Sequence, residues 1–269
     1  MVNKFWKFLH TGANDWIRSN LPFDLARIYL TSDKTVRRNF AKQLLPDLKF
    51  VDVLISHVSV EEALQVIFDA GEGFIKPING SNSVGCFELR RSGGGLISPV
   101  LGKKSISSWA SYLSKDGKLW MVEKILDIKN EVKIHIFAPR ALNAIIIRRE
   151  WVKNGKPIRH NIEVDRDGNV INTLKKHLPK EAKDFLENKL TEIPANFKDF
   201  IDVADRFGSL IEVPFIRLDI YDTEDGMYFS EITRRPLLFK YINKETTKKY
   251  FDYWNESAKW LKEGKCLTK

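Results

Sequence analysis

Two alternating segments near the C-terminal end constrain the fold most strongly. Apolar side chains alternate with charged ones at Ile216, Leu218 and Ile220, and Met227, Phe229 and Ile232 form a second apolar segment. The sequence Asp-Thr-Glu-Asp-Gly separates the two segments. A period of two is typical of β-strands, and a short turn-forming sequence between them predicts a hairpin. Arg217 and Asp219 then share one face of the first strand, and the turn brings Glu231 back beside Asp219. Two carboxylates would converge there on a hard cation such as Mg²⁺.

A second segment combines a lysine with a flexible loop. Lys76 ends a short apolar strand, and the loop after it contains Gly80, Ser81, Asn82, Ser83, Val84 and Gly85. An ammonium and bare backbone N–H groups together suit phosphate oxygens. The loop lacks the Gly-Lys-Ser/Thr end of a Walker motif, and a protein kinase loop would precede its lysine. We therefore predict a nucleotide triphosphate site of another type.

Composition sets the size and class of the protein. The 269 residues are 43% hydrophobic and 12% aromatic, which suits one large domain or two lobes of an α/β or α+β protein. Neither a transmembrane segment nor a signal peptide is recognisable, so we expect a cytoplasmic protein. The two cysteines, Cys86 and Cys266, have no metal-ligand spacing and are expected to be reduced thiols.

The net charge of +9 suits nucleic acid, an anionic membrane surface or anionic small substrates. No zinc finger, helix-turn-helix spacing or aromatic-basic ribonucleoprotein pattern is present, so no nucleic acid partner is expected. Residues 3–19 mix aromatic and basic side chains at roughly helical spacing. We favour a helix that packs on the body of the protein, and peripheral contact with a membrane or an anionic polymer is the alternative.

Helix caps and alternation predict most of the remaining elements. Asp33 caps a helix that begins at Lys34, and Ser59 caps another that ends at Gly71. The patterns predict strands at 50–55, 120–125, 131–137 and 144–149, and helices at 105–113, 181–190, 195–207 and 245–263. Gly208 is expected to end the helix at 195–207. His135, on an apolar strand, is interpreted as a structural histidine.

The order of these parts resembles the ATP-grasp superfamily, of which D-alanine:D-alanine ligase is a familiar member. The resemblance runs from about residue 31 to 237. It rests on Asp33-Lys34, Ile75-Lys76-Pro77 with its loop, Val122-Glu123-Lys124-Ile125-Leu126, Glu131, Arg217-Leu218-Asp219 and Glu231-Ile232-Thr233. Residues 193–197 and 213–221 are more specifically similar to the ATP-grasp proteins of teichuronopeptide biosynthesis.

The resemblance implies an α+β ATP-grasp fold, with two α+β lobes that grip ATP between antiparallel sheets and a shortened N-terminal region. We expect an N-terminal helical region at residues 1–32, packed on the body. Residues 33–126 would form the small lobe, with a phosphate lid at 79–85. Residues 127–269 would form the large lobe, with the metal site and a C-terminal helix.

The resemblance also implies ATP and Mg²⁺ as cofactors and assigns roles to the motif residues. Lys34 and Lys76 would bind phosphates, and the loop residues 80–85 would close over them. Glu123 would accept from the adenine amino group, Lys124 and Leu126 would offer backbone groups to the adenine edge, and Glu131 would hold the ribose. The remaining implied assignments are Asp219, Glu231 and Thr233 for two Mg²⁺ ions, and Arg217 and Lys76 for catalysis. The region before Lys34 is shorter than the substrate-binding domain of many ATP-grasp ligases, so we take Arg234, Arg235 and Arg140 as candidates for substrate contacts.

Each assignment has a simpler reading beside it. Glu123 and Glu131 could be surface carboxylates at strand ends, and the substrate arginines could be solvated. Thr233 stands where D-alanine ligases have asparagine, and threonine is typical of the teichuronopeptide group. The expected activity is an ATP-dependent carboxylate:amine ligase that acts through an acyl phosphate on a small-molecule acid and amine. It would join an amino acid to a sugar acid, a polysaccharide or a peptide. The alternatives are an ATP-grasp kinase and a non-catalytic basic binding protein.

Overall fold

The computed structural model describes residues 2–79, 85–114, 118–151, 157–173, 193–234 and 244–264. Its helices are α1 (Val2–Asn20), α2 (Phe23–Leu30), α3 (Lys34–Leu44), α4 (Val60–Ala70), α5 (Ile106–Leu113), α6 (Phe197–Leu210) and α7 (Lys244–Lys262). Its strands are β1 (Lys49–Phe50), β2 (Val53–Val58), β3 (Glu72–Pro77), β4 (Phe87–Ser92), β5 (Gly95–Ser98), β6 (Gly102–Ser105), β7 (Trp120–Glu123), β8 (Ile128–Phe137), β9 (Arg140–Trp151), β10 (Pro157–Asp165), β11 (Val170–Thr173), β12 (Phe215–Thr223) and β13 (Gly226–Thr233).

The strands form two sheets. One has seven strands in the order β1-β13-β12-β8-β9-β10-β11, and the other has six in the order β2-β7-β3-β4-β5-β6. All strand pairs are antiparallel except β1 with β13, which is parallel. Antiparallel sheets with helices on their faces confirm the predicted α+β class.

Helices α4 and α5 cover the six-stranded sheet. α4 begins at a capping box in which Ser59 accepts from the backbone N–H of Glu62 and Glu62 accepts from that of Ser59. Gly71, with φ of 89°, ends the helix in the left-handed region, as its sequence predicts. The core beneath contains Leu64, Ile67, Ile75, Leu89, Leu96, Trp109 and Val122, all fully buried. This core holds β3, and therefore the backbone of Lys76, in place.

The apolar face of the seven-stranded sheet packs on α6, α3 and α2. Side chains of β8 and β12 that point to this face include Val132, Ile134 and Leu218, and they share one core with Phe200 and Phe207 of α6. Because side chains alternate along a strand, the residues between these apolar positions point to the opposite face. That opposite face carries the charged groups described below.

The N-terminal helices also contact this core. In α1, Ala13 and Ile17 are buried, and the ammonium of Lys262 lies 5.2 Å from the centre of the Trp16 ring. In α3, Ala41 joins the core of the seven-stranded sheet, whose β13 pairs with β1. Among the residues described, no helix is both long enough and apolar enough to cross a membrane. The predicted lobe limits remain a prediction.

Several sequence predictions need correction at the level of elements. α6 continues to Leu210 through Gly208, which was expected to end it. Helix α2 and strands β5, β6, β10 and β11 were not predicted. The helix predicted at residues 181–190 lies outside the described residues. The helices that begin near Lys34, Val60 and Ile106 are confirmed, as is the C-terminal helix.

Candidate active site

The hairpin of β12 and β13 places Asp219 directly opposite Glu231. Beyond this pair Ile220 faces Phe229, so Ser230 is an extra residue in β13 and forms a β-bulge. Without the bulge Asp219 would face Ser230, and Glu231 would point to the apolar face. The bulge therefore brings the two carboxylates predicted to bind metal onto one face.

Strand β8 adds charged side chains to the same face. Lys133 pairs in register with Asp219, and His135 pairs with Arg217. The ammonium of Lys133 lies 2.5 Å from Glu131 Oε1 and 2.6 Å from Asp219 Oδ2. Lys133 was missed by the sequence analysis, although alternation with Val132 and Ile134 places it on the face of Glu131. The alternation does not show that β8 pairs with β12 and so brings Lys133 beside Asp219.

Arg217 completes this carboxylate cluster. Its Nε donates to Asp219 Oδ1 at 2.6 Å and its Nη2 donates to Asp219 Oδ2 at 2.7 Å, a bidentate arrangement. The same Nη2 is 3.5 Å from Glu231 Oε1. Arg217 and Asp219 are buried, whereas the Glu231 side chain is 37% exposed. Glu231 thus forms the accessible edge of the cluster.

Electrostatics keep Asp219 ionised. Burial raises the pKa of Asp219, but the charges and hydrogen bonds of Arg217 and Lys133 outweigh it and hold the pKa below its ordinary value. Counting Glu131 and Glu231, three carboxylates face two cations. The cluster carries one net negative charge and can accept further positive charge from a metal ion.

A second cluster lies on the six-stranded sheet around Glu123. Its Oε2 is 2.7 Å from the ammonium of Lys76, and its Oε1 accepts from Arg38 Nη1 at 3.1 Å. Arg38 also donates to the carbonyl of Val51, and its guanidinium lies 5.4 Å from the centre of the Phe50 ring. Glu123, predicted to contact adenine, therefore binds two cations. Arg38 was missed because its helix and β7 are far apart in sequence.

Lys34 stands between the two clusters at the start of α3. Asp33 caps this helix by accepting from the backbone N–H of Thr35 at 2.8 Å. The ammonium of Lys34 donates to the carbonyl of Pro77 at 2.9 Å. Burial lowers the pKa of Lys34 most, while nearby Cys86 and Glu231 raise it and Lys76 lowers it further. The structure thus brings Lys34 close to both the lysine and the carboxylate predicted for the site.

The predicted adenine-binding backbone follows β7. The N–H of Lys124 donates to the carbonyl of Asp52 at 2.9 Å, and its ammonium lies 2.8 Å from the Asp52 carboxylate. Gly85 adopts φ of 78°, and a Cβ there would lie 3.2 Å from Trp120. Residues 80–84 of the predicted lid lie outside the described residues.

The predicted substrate arginines are dispersed. Arg234 donates to the side chain of Asn14 and, at 3.2 Å, to the carbonyl of Leu30, so it contacts the N-terminal helices. Arg140 is exposed at the turn between β8 and β9, about 13 Å along the strand from Lys133 at 3.3 Å per residue. It lines a cavity of about 470 Å³ with Tyr253. Arg235 lies outside the described residues.

The donor set around Asp219 fits a magnesium ion that arrives with a nucleotide. Within the described part of the chain, no group of three or more His, Cys, Asp or Glu side chains is placed to hold a metal ion. Nucleotide sites usually give Mg²⁺ only one or two carboxylates, and phosphate oxygens and water complete its shell. Asp219 and Glu231 are such a pair, with Thr233 opposite Arg217 as a neutral oxygen nearby.

The thiol of Cys86 also borders the site. It is a free cysteine, partly buried, directly before β4. Burial raises the pKa of Cys86, and the charges of Lys34 and Lys76 oppose that rise. Cys266 lies outside the described residues, so the reduced state predicted for both thiols stays a prediction.

Comparison with known proteins supports one family. The sequence matches the family model described as TupA-like ATPgrasp over residues 25–256. No curated protein matches the sequence.

Solved structures with a similar fold include D-alanine–D-alanine ligase from Bacillus anthracis. It is 20% identical, with 89% of this chain and 71% of that chain covered and a TM-score of 0.49. The ATP-grasp ligase PsnB is 12% identical, with 82% and 60% covered and a TM-score of 0.42. L-amino acid ligase from Bacillus licheniformis is 12% identical, with 80% and 43% covered and a TM-score of 0.43. The chain spans less than two thirds of the latter two.

Proposed function

The chain belongs to the TupA-like ATP-grasp family, and on this premise we propose that it is an ATP-dependent carboxylate:amine ligase that forms an amide or peptide bond. The observation that carries the proposal is the pairing of Asp219 with Glu231 on the charged face of the seven-stranded sheet. Lys34 lies close to Glu231 and to Lys76, so cations and metal-binding carboxylates meet in one place. This is the charge arrangement that Mg-ATP requires.

The nucleotide would lie between the two clusters. Lys34 and Lys76 bind phosphate oxygens, and residues 80–85 close over them. Glu131 holds the ribose, and the backbone of Lys124 and Leu126 meets the adenine edge. Glu123 retains a lone pair for the adenine amino group, but its stronger contribution is to orient Lys76.

Mg²⁺ bound to Asp219 and Glu231, with Thr233 as a further oxygen, would neutralise charge on the β- and γ-phosphates. Arg217 keeps Asp219 ionised and orients the carboxylate pair. Its fixed positive charge also favours the transferring phosphoryl group and the tetrahedral intermediate that follows. Of the arginines proposed for the substrate, Arg234 and Arg235 directly follow β13 in the sequence. Arg140 lies farther from the carboxylate cluster, at the turn between β8 and β9.

The proposed reaction has two steps. A carboxylate oxygen of the donor attacks the γ-phosphorus of ATP, and ADP leaves to give an acyl phosphate. The amine then attacks the acyl carbon, loses a proton and expels phosphate. We propose that one substrate is an amino acid and that the enzyme joins it to a sugar acid, a polysaccharide or a peptide. The protein orients the reactants and neutralises their charge.

The first test is ligand-dependent stability. A ligand that binds only the folded state adds about 2.7 kcal/mol at a hundredfold excess over its dissociation constant. We expect wild type to gain thermal stability with Mg-ATP but not with Mg²⁺ alone, because two carboxylates need the phosphates to complete the metal shell. Asp219→Asn and Glu231→Gln should lose the gain. Glu224→Gln is the matched control, because Glu224 lies in the turn of the same hairpin and its side chain is 76% exposed. This variant should keep the gain in thermal stability with Mg-ATP.

The second test identifies the reaction. ADP release should depend on a paired acid and amine, and the product mass should equal the two substrates less one water. A product heavier by one phosphoryl group would instead show a kinase. Absence of a Mg-ATP shift in wild type, with salt-dependent binding to an anionic polymer, would replace the ligase with a non-catalytic binding protein.

A further inference from the structure

Lys133 has no role in the motifs that predict the site, yet it lies at the centre of the charged face. Its ammonium bridges Glu131 at 2.5 Å and Asp219 at 2.6 Å, and its side chain is 8% exposed. We propose that Lys133 binds the phosphate groups of the nucleotide from the seven-stranded sheet, opposite Lys34 and Lys76. The inference rests on the proposed function, because it takes Mg-ATP as the ligand.

The order of groups along the sheet leads to this assignment. Glu131 is the carboxylate proposed for the ribose, and Asp219 is the one proposed for the metal at the β- and γ-phosphates. In ATP the phosphate chain runs from the ribose to the metal-bound end. Lys133 touches both carboxylates, so its ammonium lies where the phosphates between those ends must pass.

Hydrogen-bond capacity also fits this role. An ammonium has three N–H donors and no acceptor. Among the described residues the side chain of Lys133 donates to Glu131 and Asp219, which uses two of them. The third can bind a phosphate oxygen while both carboxylates keep their partner. The two carboxylates also hold the buried charge in a fixed position, so little ordering is needed when the nucleotide binds.

A purely structural role is the competing explanation. Lys133 and Asp219 form a cross-strand ion pair, and such a pair could simply hold β8 against β12. The two roles differ in which ligand they affect. A phosphate-binding lysine discriminates ATP from adenosine, whereas a structural lysine affects the binding of both, or only the stability of the protein.

The experiment compares the affinity of Lys133→Met for Mg-ATP and for adenosine by calorimetry. Charge-assisted hydrogen bonds predict a loss of roughly 10- to 100-fold for Mg-ATP, with adenosine unchanged. Lys129→Met, an exposed lysine of the same strand that pairs with Glu224, is the matched control and should bind both ligands as wild type does. In case Lys133→Met fails to fold, the double variant Glu131→Gln/Lys133→Met keeps the net charge of the cluster and is compared with Glu131→Gln alone.

The outcomes separate the inference from the proposed function. The role of Lys133 would be overturned, with the proposed function intact, if wild type binds Mg-ATP and the variants lose affinity equally for ATP and adenosine. It would also be overturned if neither Lys133→Met relative to wild type nor the double variant relative to Glu131→Gln loses affinity for ATP. Wild type that binds adenosine and ATP equally, or neither, would overturn both. A selective loss of ATP affinity in Lys133→Met, or in the double variant relative to Glu131→Gln, supports the phosphate contact.

Discussion

At the scale of single residues, His135 shows how burial determines the charge of a side chain on the charged face of the seven-stranded sheet. It pairs in register with Arg217, and its Nδ1–H donates to Asn143 Oδ1 at 3.1 Å. Burial lowers the pKa of His135 to about 4, and the charge of Arg217 acts in the same direction. Asn143 in turn donates to Tyr250 and Glu163. At neutral pH the imidazole is therefore uncharged.

This predicts a pH dependence of stability. In the unfolded chain His135 is protonated near its ordinary pKa of 6.5, whereas burial in the folded protein lowers this pKa to about 4. The contribution of the neutral His135 to the free energy of unfolding is thus fully present above pH 6.5. It is lost as the pH falls to about 4, and the loss reaches about 3 kcal/mol. The free energy of unfolding of His135→Gln, measured in urea across this range, should fall less steeply than that of wild type.

The comparison with the variant is needed because Glu163 acts in the opposite sense. Burial raises the pKa of Glu163, so its protonation favours the folded state as the pH falls. The difference between wild type and His135→Gln removes this shared background. Parallel curves for the two proteins would contradict the neutral, buried histidine.

At the scale of elements, helix α6 shows why a glycine signal can mislead. Gly208 was expected to end the helix, but it lies inside it because the β8–β9 hairpin approaches closely. A Cβ at this position would lie 2.7 Å from the carbonyl oxygen of Pro139 and 2.9 Å from a methyl of Ile136. The glycine serves helix packing on the sheet rather than helix termination.

We therefore expect Gly208→Ala to destabilise the protein by about 1–3 kcal/mol through overpacking, despite a helix propensity gain of at most about 1 kcal/mol. The midpoint of urea unfolding measures the change. Gly94→Ala, where a Cβ meets nothing within 4 Å, is the matched control and should be nearly neutral. Equal midpoints for the two variants would show that the contact with Pro139 relaxes freely.

At the scale of the whole molecule, α3 connects the two sheets that flank the site. Arg37 donates to the carbonyl of Ile232 in β13 at 3.2 Å, and Arg38 reaches Glu123 in β7. The two neighbouring arginines thus attach one helix to β13 of the seven-stranded sheet and to β7 of the six-stranded sheet. Arg38 is a positioning residue, because it holds Glu123 and Glu123 holds the Lys76 ammonium.

Arg38→Met should weaken Mg-ATP binding about 3- to 10-fold, because Glu123 would pair with Lys76 alone and reduce the positive charge offered to phosphate. Arg38→Lys should restore part of the affinity. Titration calorimetry measures both. Arg90→Met is the control, since Arg90 pairs with Glu72 and Glu88 on the exposed side of the six-stranded sheet. A loss of thermal stability in Arg38→Met with unchanged ATP affinity would reduce Arg38 to a structural role.

The sequence alone determined the α+β class, the capped helices, the hairpin of Asp219 and Glu231, and the family. These follow from signals that act over a few residues: alternation, caps, turn sequences and ordered motifs. Only the tertiary structure decided that Lys133 meets Asp219, that Arg38 meets Glu123 and that a bulge at Ser230 places Asp219 opposite Glu231. Strand neighbours and register depend on packing across many residues, and a local pattern does not encode them.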